Sequence, residues 1–63
     1  MMNRVGKTYT LKNGYSICEC ECYDGYNMQR FWTIWRPDGS HYMNCGSYKE
    51  AYELASHLVR EEN

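Results

Sequence analysis

Short runs that alternate apolar and polar residues, separated by glycine-containing turns, occupy the first three quarters of the chain. Alternation with a period of two is typical of β-strands that bury one face. The dipeptide Asn13-Gly14 is a strong hairpin signal because both residues tolerate a positive φ. Gly25 and the sequence PDGS at 37–40 favour two further turns. The pattern predicts four strands, at about residues 7–11, 15–23, 30–36 and 41–45.

After Gly46 the spacing of the apolar residues lengthens to that of a helix. Ser47 and Glu50 are spaced as a capping box, in which the serine hydroxyl accepts from the glutamate amide and the carboxylate reaches back. We therefore expect a helix over about 48–61, packed across one face of the sheet. The predicted fold class is α+β: an antiparallel three- to four-stranded meander with one C-terminal helix (ββββα), forming a single domain over 1–63. The apolar face of the helix is predicted to carry Tyr48, Ala51, Tyr52, Ala55, Leu58 and Val59.

Three cysteines, Cys18, Cys20 and Cys22, occupy alternate positions of the second predicted strand and share one of its faces. The first and the third lie about 13 Å apart on a straight strand. Thiolates bound to one zinc ion each lie about 2.3 Å from it, so all three cannot bind together. Two neighbours with Cys45 or His41 remain a conceivable zinc site, and a cross-strand disulfide to Cys45 is the other alternative. We favour buried core residues beneath the helix, with no metal ligand, because free cysteine behaves as a small hydrophobe.

With the cysteines under the helix, the opposite face of the sheet would be open to solvent. The third strand would add either Phe31, Thr33 and Trp35 or the set that includes Trp32 and Ile34, and the pattern leaves that choice open. An exposed aromatic surface on a small protein usually marks an interface. The sequence favours equally two occupants of this surface, a second copy of the chain or a different protein. The predicted partner-binding residues are Tyr15, Glu19, Glu21, Tyr23, Tyr26, Arg30, Trp35 and Arg36.

Composition narrows the class of partner. The 63 residues include seven Lys or Arg against eight Asp or Glu, whereas domains that bind phosphate backbones are usually markedly basic. Seven Tyr and two Trp favour a protein partner, since these residues are enriched where proteins meet. No apolar run is long enough to cross a membrane, and the N-terminus lacks the apolar segment of a signal peptide, so we expect no membrane contact and a cytoplasmic location.

Catalytic chemistry has little support in the sequence. The two histidines, His41 and His57, have only Ser40, Ser56 or Cys45 nearby, and adjacency in sequence does not make a triad. The glycines are dispersed over turns and form no loop that could cradle a phosphate. We therefore predict a protein that is not an enzyme and that needs no cofactor.

The segment FWTIWRPDGSHYMNCGSYKEAYELASHL, an aromatic strand, a turn, a strand and a Ser-capped helix, carries two resemblances. It resembles in pattern the three-stranded-sheet-plus-helix DNA-binding domain of phage and transposon integrases. That resemblance implies phosphate contacts from Arg30, Arg36 and Lys12, but the sheet presents Glu and Tyr where those domains present Arg and Lys. In size and style the chain also resembles small phage and mobile-element anti-defence proteins, including anti-CRISPR proteins. This implies an inhibitor that occludes a host protein in the bacterial cytosol, which is the favoured hypothesis. A nucleic-acid-binding domain is the alternative, and an interaction module stabilised by zinc, bound by two of the strand cysteines with Cys45 or His41, is a further one.

Overall fold

The computed structural model describes residues 2–59, which form one antiparallel sheet and one helix. The strands follow one another in the order β1-β2-β3-β4, and the helix comes last, as the sequence pattern predicts. The predicted α+β class and the ββββα order are therefore confirmed. The elements are β1 (Met2–Thr10), β2 (Ser16–Asp24), β3 (Asn27–Trp35), β4 (His41–Cys45) and α1 (Tyr48–Ser56).

The first and third hairpins use the same three-residue loop. In the first, the Leu11 amide donates to the Tyr15 carbonyl and the Gly14 amide donates to the Leu11 carbonyl. Gly14 has φ +91°, as expected for a type I turn followed by a glycine bulge. The predicted hairpin is confirmed, but Asn13 keeps a negative φ and contributes through its side chain instead. The loop at 36–40 repeats this geometry, with Gly39 also at φ +91°.

The hairpin between β2 and β3 is longer than predicted. Its two-residue loop places Gly25 at φ +63°, and Asp24 pairs with Asn27 directly after it. Pairing continues from there without a break, so β3 begins at Asn27 rather than near 30. β1 also begins earlier than predicted, at Met2, because its first residues pair with the same end of β2.

The helix begins as the capping box predicts and ends earlier. The Ser47 hydroxyl accepts from the Glu50 amide at 3.2 Å, while the Glu50 carboxylate accepts from the Gly46 amide at 3.3 Å. The helix ends at Ser56, so the predicted end at 61 is wrong for residues 57–59, and residues 60 and 61 lie outside the described range. At its end, the Asn13 side-chain amide donates to the Ala55 and Leu58 carbonyls at 2.7 and 2.9 Å. The first hairpin therefore binds the Ala55 carbonyl, which also accepts from the Leu58 amide at 3.1 Å, and the Leu58 carbonyl just beyond the helix.

The helix covers the face of the sheet opposite the cysteines, so the predicted burial of the cysteine row under it is wrong. Ile17 and Ile34 are paired across β2 and β3, and together with Tyr15 they pack against Ala51 and Ala55. All five residues are buried. The two alanines lie one turn apart on the helix and carry small side chains, which lets the helix approach the larger residues of the sheet. The face of β3 that lies under the helix is therefore the one with Trp32 and Ile34.

The helix is much shorter than the sheet is long. The molecule measures 42 × 23 × 17 Å, whereas nine helical residues span about 13 Å. The helix packs on β2, β3 and β4, and leaves β1 and the far end of the β2–β3 hairpin uncovered. Within residues 2–59, no helix has the length and apolar character needed to cross a membrane.

Candidate functional site

Four aromatic side chains, Tyr9, Trp32, Tyr48 and Tyr52, form a continuous surface between β1 and the helix, which we call the aromatic patch. Tyr48 lies at its centre, with ring centroids 5.6 Å from Tyr9, 5.1 Å from Trp32 and 5.9 Å from Tyr52. The first two contacts are edge-to-face, a favoured geometry for aromatic pairs. The three tyrosines remain 44, 38 and 46% exposed, in chain order, while Trp32 is half-buried. The rings therefore order one another while presenting a large area to solvent.

Strand register and helix orientation together create the aromatic patch. Tyr9 pairs with Ile17, so it lies on the helix side of the sheet, one strand beyond the helix. Ala51 and Ala55 occupy the line of closest approach, which turns Tyr48 and Tyr52 towards the uncovered β1. The prediction that both tyrosines belong to the buried face of the helix is therefore wrong, and so is that for the exposed Val59. The sequence feature that could have indicated this arrangement is the alanine pair, Ala51 and Ala55, with i, i+4 spacing. Tyr48 and Tyr52 have the same spacing, and only one of the two pairs can face the sheet.

Two shallow depressions adjoin the aromatic patch. One, of about 480 Å³, lies between the first hairpin and the helix and is lined by Leu11, Lys12 and Tyr52, among others. The other, of about 510 Å³, is lined by Tyr48, Lys49, Tyr52 and Glu53. Tyr52 borders both, so its ring stands between two places where another molecule's side chains could insert.

The structure disperses the residues that the sequence predicted as one partner-binding surface. Tyr15 is only 6% exposed and belongs to the core, where its ring contacts Tyr42 at 6.0 Å. Its predicted place on an open face is wrong, because that face is the one the helix covers. Glu19 and Glu21 are half-buried on the same side of the sheet, beyond the helix. The Glu21 carboxylate lies 3.8 Å from the Arg30 guanidinium, as expected for a cross-strand pair.

The remaining predicted residues lie at the two ends of the sheet. Tyr23 and Tyr26 are exposed at the far end of the β2–β3 hairpin, away from the aromatic patch. Arg36 is held at the opposite end, where its Nη1 donates to the His41 carbonyl at 2.6 Å and to the Ser40 hydroxyl at 3.2 Å. Its guanidinium lies 5.2 Å from the centre of the Tyr42 ring, a cation–π distance.

Trp35 lies on the cysteine face and helps to bury that face without the helix. Arg4 from β1 reaches across β2, and its guanidinium carbon lies 4.6 Å from the centre of the Trp35 ring. Since Arg4 pairs with Cys20 and Trp35 pairs with Ser16, their contact crosses β2 above Cys18. Cys18 and Cys20 are accordingly inaccessible to solvent, although no helix packs on them. The indole Nε1 of Trp35 is buried and has no hydrogen-bond partner among the described residues.

The thiols have the environment of structural cysteines. All four are free, and burial raises the pKa of the Cys20 thiol. Burial, followed by the nearby Glu50 carboxylate, also raises the pKa of Cys45. Both shifts disfavour the thiolate that would bind a metal or act as a nucleophile. Among residues 2–59, no group of three or more His, Cys, Asp and Glu side chains is placed to hold a metal ion.

The two histidines make local side-chain hydrogen bonds, and the His41 ring also packs edge-to-face on Trp35 of β3, with ring centroids 5.8 Å apart. His41 Nε2 lies 2.9 Å from the Asn44 side-chain oxygen, which also accepts from the Thr33 hydroxyl at 3.0 Å. His57 Nδ1 lies 2.6 Å from the Glu53 carbonyl, one helical turn earlier. Neither of these hydrogen bonds joins a histidine to a serine or cysteine side chain.

No protein-family model matches the chain, and no curated protein or solved structure shows significant similarity to it.

Proposed function

We propose that this protein is a non-enzymatic protein-binding module and that the aromatic patch is its contact surface. The observation that carries the proposal is the exposure of three tyrosines in mutual ring contact beside a half-buried tryptophan. Tyr and Trp dominate the binding energy of protein interfaces, because they bury a large area at little conformational cost. Rings that already contact one another lose little further freedom on binding, which favours affinity.

The more specific proposal is an inhibitor that occludes a surface of a larger host protein in the cytosol, in the manner of phage anti-defence proteins. The small size, the near-neutral charge and the aromatic surface support stoichiometric occlusion more than catalysis. The four free cysteines fit a reducing compartment. A homodimer closed by the same patch is the competing proposal, and it has the same physical basis.

The test compares tyrosine variants that differ only in position. The tagged protein is used to capture partners from nuclease-treated bacterial lysate, and captured proteins are quantified by mass spectrometry. Tyr52→Ala should reduce capture of a stoichiometric partner by about tenfold or more, as expected for an interface anchor. Tyr26→Ala is the matched control, since Tyr26 is fully exposed at the distant hairpin, and it should capture as wild type does.

Two further results would change the conclusion. Loss of capture in Tyr23→Ala with retention in Tyr52→Ala would place the contact on the far end of the sheet, as the sequence pattern predicts, and would refute the aromatic patch. A dimer in sedimentation equilibrium that dissociates in Tyr52→Ala would identify the second copy as the occupant. Circular dichroism of each variant separates loss of binding from loss of folding.

A further inference from the structure

We propose that the partner binds as an extended acidic segment that adds a strand to the free edge of β1, beside the aromatic patch. This inference rests on the proposed function and names the chemistry of its partner. It starts from the position of β1, which is an edge strand of nine residues with β2 on one side and no other described strand on the other. Edge strands present unpaired amide and carbonyl groups that an extended peptide can pair with.

The usable part of this edge lies next to the aromatic patch. Gly6 and Lys7 interrupt the pairing with β2, where the register moves from Val5 directly to Thr8, and Gly6 adopts φ +80°. Irregularities of this kind protect an edge locally. Regular pairing resumes over Thr8–Thr10, and this stretch contains Tyr9 of the aromatic patch. An added strand would place every second side chain on the helix side of the sheet, against the patch.

Charge identifies the kind of segment that fits. Residues 2–15 contain Arg4, Lys7 and Lys12 and no Asp or Glu, whereas all eight acidic residues come later in the chain. Lys7 immediately precedes the Thr8–Thr10 stretch, and Lys12 lines the depression beside Tyr52. Glu19, the acidic residue nearest to this region by register, is half-buried one strand inward, opposite Val5. The edge is therefore positive, and it complements a segment in which acidic residues alternate with apolar ones.

The same charges disfavour a second copy of this chain at this edge. An antiparallel pairing of two Thr8–Thr10 stretches would bring Lys7 of one copy close to Lys12 of the other, with no Asp or Glu in residues 2–15 of either copy. Like charges on paired strands are destabilising. Nucleic acid would neutralise the charge but does not offer the alternating amide and carbonyl groups with which an edge strand pairs.

The experiment uses ten-residue peptides and the ¹⁵N-labelled full chain. The probe is a peptide in which Glu alternates with Leu. Two comparator peptides replace every Glu with Lys or carry Pro at the centre. The third comparator is a ten-nucleotide oligothymidine. We expect the acidic peptide to shift the amides of residues 8–10 and to protect from exchange those of Thr8 and Thr10, which point away from β2. We also expect charge reversal in Lys7→Glu plus Lys12→Glu to weaken its binding by about tenfold. Arg30→Glu, which reverses an exposed cation on β3, two strands inward from the edge and away from the aromatic patch, is the control and should change binding by less than about twofold.

Each other outcome overturns the inference. Equal affinity for the Pro-interrupted peptide would show attraction by charge without strand addition. Tighter binding of the oligonucleotide would indicate a nucleic-acid partner, and protection of the Thr8 and Thr10 amides without peptide would indicate a second copy. No binding of the acidic peptide at millimolar concentration would also refute it. If that occurs while Tyr52→Ala still loses the lysate partner, the aromatic patch stands as the contact surface and only strand addition fails.

Discussion

Asn13 connects the first hairpin to the end of the helix, and replacing it tests how the two are held together. Its side-chain amide donates to the Ala55 and Leu58 carbonyls at 2.7 and 2.9 Å, and its oxygen accepts from the Tyr15 amide at 3.1 Å. Each such bond contributes about 1 kcal/mol net. The site is half-buried, and water would replace part of this, so we expect Asn13→Ala to lower the free energy of unfolding by about 2 kcal/mol.

This loss is large for a chain of this size. A core of about 60 residues supplies roughly 3–5 kcal/mol, so the variant would lose about half of its stability. The midpoint of thermal unfolding should fall by about 10 °C, since 1 kcal/mol corresponds to about 4–8 °C in a small domain. Urea unfolding followed by tryptophan fluorescence measures the change, and an unchanged m-value would show that the unfolding transition is otherwise the same.

Three variants isolate the cause. Lys12→Ala changes an exposed neighbour in the same loop and should alter stability by less than about 0.5 kcal/mol. Asn13→Asp keeps the acceptor for Tyr15 but replaces both donors with a negative charge near the helix C-terminus, and it should destabilise at least as much as alanine. Asp38→Ala removes the equivalent residue of the third hairpin, whose side chain accepts only from Ser40, and should have a smaller effect. The capping role of Asn13 would be refuted if Asn13→Ala were as stable as Lys12→Ala. It would also be refuted if Asn13→Asp were as stable as the wild type.

Four other predictions follow from burial and backbone geometry. Ile17→Val should cost about 1 kcal/mol in urea unfolding, and no change would contradict a core under the helix. Gly39→Ala should destabilise by about 1 kcal/mol or more because φ is +91°, even though a Cβ there meets no atom within 4 Å. Alkylation of the native protein, followed by mass spectrometry, should modify half-buried Cys22 well before inaccessible Cys20, and equal rates would show that the Arg4–Trp35 contact does not shield it. Because burial raises the pKa of Cys20, the folded state keeps this proton at a pH where the unfolded chain has lost it. The free energy of unfolding should therefore decline as the pH rises above the ordinary cysteine pKa. The decline should be smaller in Cys20→Ser than in Cys22→Ser.

Local chemistry explains which parts of the fold were predictable. Glycines at the turns and the Ser47 cap act within a few residues, so the three hairpins and the start of the helix could be read from the sequence. The predicted ends of the strands and the helix were less accurate where contacts with residues distant in sequence determine them. The helix ends at Ser56, where a side chain more than forty positions earlier, that of Asn13, binds the carbonyls of Ala55 and Leu58.

The interaction surface was the least predictable part. Of the predicted partner-binding residues, Tyr15 is in the core and the others are divided between the two ends of the sheet and its two faces. Of the aromatic patch, Tyr48 and Tyr52 were predicted to be buried. Their exposure follows from the alanine pair, which brings the helix close to the sheet and displaces the larger rings towards β1.

The sequence by itself determined the order of elements, the turns and the amphipathic helix, because each depends on residues that are neighbours along the chain. Only the tertiary structure decided which face of the sheet the helix covers. Both faces of β2 can be buried: one by the helix over Ile17, the other by Arg4 reaching Trp35 across Cys18. The periodicity within one strand is the same in either case. The choice depends on pairing Ile17 with Ile34 and on the fit of small helix residues over them, and these contacts join residues far apart in sequence.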